Sequence, residues 1–84
     1  MNWHKKLKEI YNKLEEAGYY SIKNEIYEGQ ISGGTAGEIF SIVLDKLINL
    51  KQTNHQAHEK IKSEIEEFIE YAKSINYLPK KEDR

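Results

Sequence analysis

Cysteine is absent from the 84-residue chain. No disulfide can staple the fold, and no thiol can act as nucleophile or metal ligand. Stability must come from packing, and the composition fits a reducing compartment. Proline occurs once, at Pro79, and glycine only five times, so signals that break regular structure are few. A dominant charge is also missing: 13 Lys and Arg stand against 14 Asp and Glu. A dedicated nucleic-acid binder carries a basic excess or a basic face, so no nucleic-acid partner is expected. No apolar run approaches the ~20 residues that span a membrane. The opening MNWHKK leads into an amphipathic pattern rather than an apolar leader block. The expectation is a cytoplasmic protein without a membrane partner.

What is present is helical periodicity. A chain of this length reads as one domain, residues 1–84, with 80–84 as a loose tail. Trp3, Leu7, Ile10, Tyr11, Leu14 and Ala17 recur at threes and fours. They predict a first helix, capped by Asn2 and ended by Gly18 in a positive-φ turn. A short second helix is predicted from Ser21, its N-cap, to Glu28, with Gly29 as its stop and Ile22 and Ile26 facing inward. The third, from Ala36 to Leu50, is apolar nearly all round, which marks it as central or as partly facing another chain. The fourth runs from Asn54 to Asn76 along a seam of Ala57, Ile61, Ile65, Phe68, Ala72 and Ile75, and Pro79 stops it. At 1.5 Å per residue it would measure ~33 Å, against ~22 Å for the first. The fold class is therefore all-α: an antiparallel up-down four-helix bundle with a short second helix.

Charge order supports the antiparallel arrangement. The first helix begins with His4, Lys5, Lys6 and Lys8 and ends with Glu15 and Glu16, the unfavourable order for its dipole. Glu64, Glu66, Glu67 and Glu70 near the end of the last helix would offset the basic start. Lys60 and Lys62 would then meet Glu15 and Glu16.

Four patterns suggest chemistry. In ISGGTAGEIF (31–40) no lysine follows the glycines, which excludes a phosphate loop of the G-x-x-x-x-G-K type. The dinucleotide spacing and its preceding strand are also missing. The residues spell T-x-x-E instead: Thr35 and Glu38 form a capping box. Glu38 itself fills the positive helix end that an anion would use. His55 and His58 stand one turn apart, but a structural zinc site wants four ligands. The pair reads as a solvated first turn after a Thr53–Gln56 cap, so no metal and no cofactor are expected. No serine sits in a G-x-S-x-G context. The glutamates of EIEEFIE lie off the apolar seam, where nothing perturbs them. No enzyme activity is expected.

The fourth pattern is aromatic. Six tyrosines is a high count for this length. Tyr19 and Tyr20 are adjacent and cannot bury on one face. Tyr20 and Tyr27 are seven apart, close to two helical turns, and share an outer stripe. Tyrosine combines area, a polar tip and low entropy cost, which suits interfaces. The candidate partner-binding residues are therefore Tyr20, Lys23, Asn24, Tyr27 and Glu28.

Gly33, Gly34, Thr35, Gly37 and Glu38 also carry a resemblance. The chain resembles small bacterial helical proteins whose third helix starts G-[GS]-T-x-x-E. These in turn resemble immunity and antitoxin proteins, stoichiometric binders that block a toxin's active site. The resemblance implies a protein partner such as a toxin and transfers no individual functional residue. The alternative from the pattern alone is a self-associating domain, a homodimer formed through the excess apolar surface of the third helix or the overhang of the fourth.

Overall fold

The computed structural model describes residues 2–75. The first helix, α1 (Trp3–Glu16), buries Trp3, Leu7, Ile10 and Leu14. These follow the three-and-four spacing that puts them on one stripe. Asn2 caps it: its side chain accepts the Lys5 amide at 3.3 Å. Gly18 follows with φ +86°, the left-handed turn that glycine adopts without a Cβ penalty. The chain then enters α2 (Tyr20–Ser32), α3 (Ala36–Thr53), α4 (His55–Lys60) and α5 (Lys62–Ser74). The described residues are thus all-helical, in five helices. No helix among them is long and apolar enough to cross a membrane.

The second helix departs most from expectation. It has 13 residues and runs through Gly29, which is buried. A methyl at Gly29 would lie 2.6 Å from Lys46 Cε and 2.9 Å from Ile42 Cγ2. The glycine therefore marks close approach to α3, not a stop. Ser21 lies inside the helix; Tyr19 holds the N-cap position and makes no side-chain cap.

α3 is the central helix. It buries Phe40, Val43, Leu44, Leu47 and Leu50 and packs against α2, α4 and α5. Ile39 and Ile48 add partly buried area at the core's edge. Its start is the reciprocal cap: the Glu38 amide donates to Thr35 Oγ1 at 3.2 Å. Glu38 Oε1 accepts the amides of Gly34 at 2.9 Å and Thr35 at 3.1 Å. Three amides at this helix start are thus satisfied within the chain, two of them by its own carboxylate.

The expected long fourth helix is broken. Ile61, with φ −123° and ψ 20°, separates α4 from α5. Its amide donates to His58 O, an i→i−3 bond that tightens the turn. Asn54 rather than Thr53 caps α4, accepting the Ala57 amide at 3.1 Å; Thr53 belongs to α3. Asn76 and Pro79 lie outside the described residues, as does the 80–84 segment.

Ion pairs join α1 to α5. Lys6 Nζ lies 3.1 Å from Glu67 and Lys13 Nζ 2.5 Å from Glu64, so the two charge rows meet in opposite chain order. Glu15 turns instead to Lys23 of α2 at 3.3 Å, while Lys60 borders a surface hollow beside Glu16. Glu64 is not on a solvated face: it is buried and paired with Lys13. At one end Trp3, Phe40, Phe68 and Tyr71 join in ring contacts of 5.3–6.4 Å.

Candidate functional site

α2 is apolar on two sides. Ile22, Ile26 and Gly29 face the core. On the opposite side Tyr20, Asn24, Tyr27 and Ile31 follow one another at four, three and four residues, a single stripe in helical register. Tyr20 is 59 % exposed, Tyr27 45 % and Ile31 63 %. Asn24 and Glu28 are also exposed, and Glu28 lies on the flank of the stripe. The adjacent tyrosines separate as their geometry requires: Tyr19 packs against the core while Tyr20 faces solvent.

Beside the stripe lies a built aromatic corner. The Tyr11 and Tyr27 rings meet edge to face with centroids 6.2 Å apart. Tyr11 Oη donates to Gln30 Oε1 at 2.7 Å. Burial, helped by the neighbouring Tyr27, raises the Tyr11 phenol above its ordinary value, so it stays a neutral hydrogen-bond donor. Lys23 Nζ sits 5.8 Å from the Tyr11 centroid and 5.5 Å from that of Tyr27. Cation–π attraction at this range is worth ~0.5–1 kcal/mol at exposed sites. Lys23 is also tied to Glu15, so α1 and α2 are clamped together at this point.

The corner opens into a groove of about 420 Å³ between the two helices. α1 contributes His4, Lys5, Leu7, Lys8 and Tyr11, and α2 contributes Tyr27 and Gln30. Rings and an aliphatic side chain form its floor, and cations border it. Such groups bury area, donate hydrogen bonds and attract negative charge, the tools of recognition.

Of the five residues expected from the spacing, Tyr20, Asn24 and Tyr27 share the stripe. Lys23 and Tyr27 join the aromatic corner, and Glu28 stands apart. Ile31, Tyr11 and Gln30 were not among them. Ile31 continues the Tyr20–Tyr27 register by one turn, a signal hidden by treating Gly29 as a stop.

The second polar cluster is at His58. This residue is buried, not part of a solvated turn. Burial lowers the imidazole below its usual range; Lys51, His55 and Lys62 add to this and Glu59 opposes it. Among the described residues Nδ1 has no hydrogen-bond partner, although a Glu59 oxygen lies 3.9 Å away. The rings of His55 and His58 are 6.5 Å apart. Among the described residues no group of three or more His, Cys, Asp or Glu side chains is placed to hold a metal ion.

No family model matches the chain, and no curated protein or solved structure matches it either.

Proposed function

We propose that this chain is a small protein-binding module, a stoichiometric binder of the immunity or antitoxin type. It meets its partner with the outer face of α2. In this reading the helices form an up-down bundle whose fourth member is α4 and α5 together, and the role is recognition rather than catalysis.

One observation carries the proposal. Among the described residues four large apolar or aromatic side chains are exposed, and three of them, Tyr20, Tyr27 and Ile31, line one face of α2. Single exposed apolar residues are ordinary on any surface. Three in register on a helix whose opposite face already serves the core are not, because a monomer gains nothing from the outer stripe. Aromatic anchors flanked by polar groups are the composition of binding hot spots.

The test is a titration of the purified chain with the product of the neighbouring reading frame, followed by calorimetry. The reading expects a one-to-one complex and a free protein that runs as a 9.9 kDa monomer. A free protein at twice that mass would favour the alternative reading, a self-associating homodimer. A monomer that forms no complex with that product would remove the immunity assignment.

A further inference from the structure

We propose that the groove between α1 and α2 receives an acidic segment of the partner protein. An apolar or aromatic side chain of that segment would fill the floor, and its carboxylates would meet Lys5 and Lys8. This rests on the protein-binding reading above and gives the partner its chemistry.

Charge complementarity is the first argument. Among the described residues no acidic side chain lines the groove, whereas His4, Lys5 and Lys8 do. Among the described residues Lys5 and Lys8 form no ion pair, while Lys6, Lys13 and Lys23 of the same two helices each hold a glutamate. Glu9, one turn beyond Lys5, is engaged with Lys6 at 3.2 Å. The chain as a whole carries a formal charge of −1, so the basic rim is a local arrangement. Its counterpart lies on α5, where Ser63, Glu66, Glu67 and Glu70 border an acidic hollow. Separated patches of this kind steer partners of opposite sign and reject those of like sign.

Shape is the second. The floor is made by the Tyr11–Tyr27 pair, and its geometry is held by the Gln30 hydrogen bond and the Lys23 cation. Fixed rings lose little entropy when an anchor arrives. The groove also adjoins the exposed stripe through Tyr27, so one partner segment can engage both. An apolar anchor between carboxylates, laid along two helices, is the reverse image of this surface.

The experiment uses the full chain and a displayed library of random short peptides. Recovered sequences should combine an excess of Asp and Glu with at least one aromatic or large aliphatic residue. Their affinity should fall as salt screens the rim. The pair Lys5→Glu with Lys8→Glu should weaken them by at least ~tenfold, the effect of a hot spot. Both positions are exposed, and Lys5 lies in the first turn of α1, where negative charge suits the helix dipole; unchanged helicity by circular dichroism would show that the fold is kept. The milder pair Lys5→Gln with Lys8→Gln should give an intermediate loss. Recovery of neutral or basic peptides, or of none, would overturn the groove assignment. So would acidic peptides that bind the charge-reversed pair unchanged. If such peptides are instead lost on Tyr20→Ala with Ile31→Ala, the groove assignment fails while the α2 surface stands.

Discussion

Removing the Glu38 carboxylate is the sharpest probe of how the central helix is held. Glu38 Oε1 accepts two amides, Gly34 at 2.9 Å and Thr35 at 3.1 Å, and the Glu38 amide returns one bond to Thr35 Oγ1. All three residues are exposed, so water can replace what a substitution removes. The net worth of each bond is then about 0.5–1.5 kcal/mol. Loss of a negative charge from the first turn costs roughly 0.3–1 kcal/mol more. Alanine returns a few tenths of a kcal/mol through its better helix propensity. Because these sites are exposed the lower halves of these ranges apply, so Glu38→Ala should cost about 1–2 kcal/mol, and Thr35→Ala about 1 kcal/mol, the usual worth of a cap. Because α3 carries five core residues, the loss should appear in global unfolding. It corresponds to a melting point lower by ~4–8 °C per kcal/mol for a chain of this size. Urea titration and thermal scans of both singles and the double variant would measure it. The double variant should cost less than the sum, because the two halves support each other. A change below about 0.5 kcal/mol for Glu38→Ala would refute the reasoning, as would loss of partner binding at unchanged stability.

Three further outcomes follow from the packing. Gly29→Ala should not bring the ~1 kcal/mol gain usual for this exchange in a helix; contact with Ile42 and Lys46 should turn it into a loss of up to about 2 kcal/mol, and an Ile42→Ala background should relieve it, as denaturant midpoints would show. Lys13→Ala, which leaves the buried Glu64 carboxylate unpaired, should cost about 1–3 kcal/mol; Lys6→Ala should cost less, because its partners Glu9 and Glu67 are half exposed. His58 sits below its unfolded value of ~6.5, so the folded state binds fewer protons. Stability is then full above about pH 6.5 and falls as pH drops below it; unfolding curves between about pH 7 and 5 should be flatter for His58→Gln than for the unsubstituted chain.

Much of the architecture is legible in the residue pattern. The α1 stripe, the Asn2 cap and the Gly18 turn each depend on local chemistry that single residues declare. The T-x-x-E signature at Thr35 and Glu38 does the same for α3. What escapes has tertiary causes. Gly29 looks like a stop because glycine lowers helix propensity, but the reason for it is the approach of Ile42 and Lys46, which lie more than a dozen residues away. The break at Ile61 has neither glycine nor proline to announce it. Glu64 is buried and finds its partner, Lys13, on another helix, and His58 is buried although its neighbours His55 and Glu59 are exposed. For the candidate site, the seven-residue interval between Tyr20 and Tyr27 located the outer face. Its extension to Ile31 was hidden by the misread glycine. Tyr11 and Gln30 join only once α1 and α2 lie side by side.

The central claim is that the outer face of α2 is the surface that meets a partner protein. The most direct measurement is the affinity of the Tyr20→Ala with Ile31→Ala variant for the partner identified by titration, taken together with its melting temperature. Both side chains are more than half exposed, so the melting temperature should scarcely move. Affinity should fall by roughly tenfold or more, the range of truncated interface anchors. Unchanged affinity in a variant of unchanged stability would contradict the claim and leave the two residues as ordinary surface coverage.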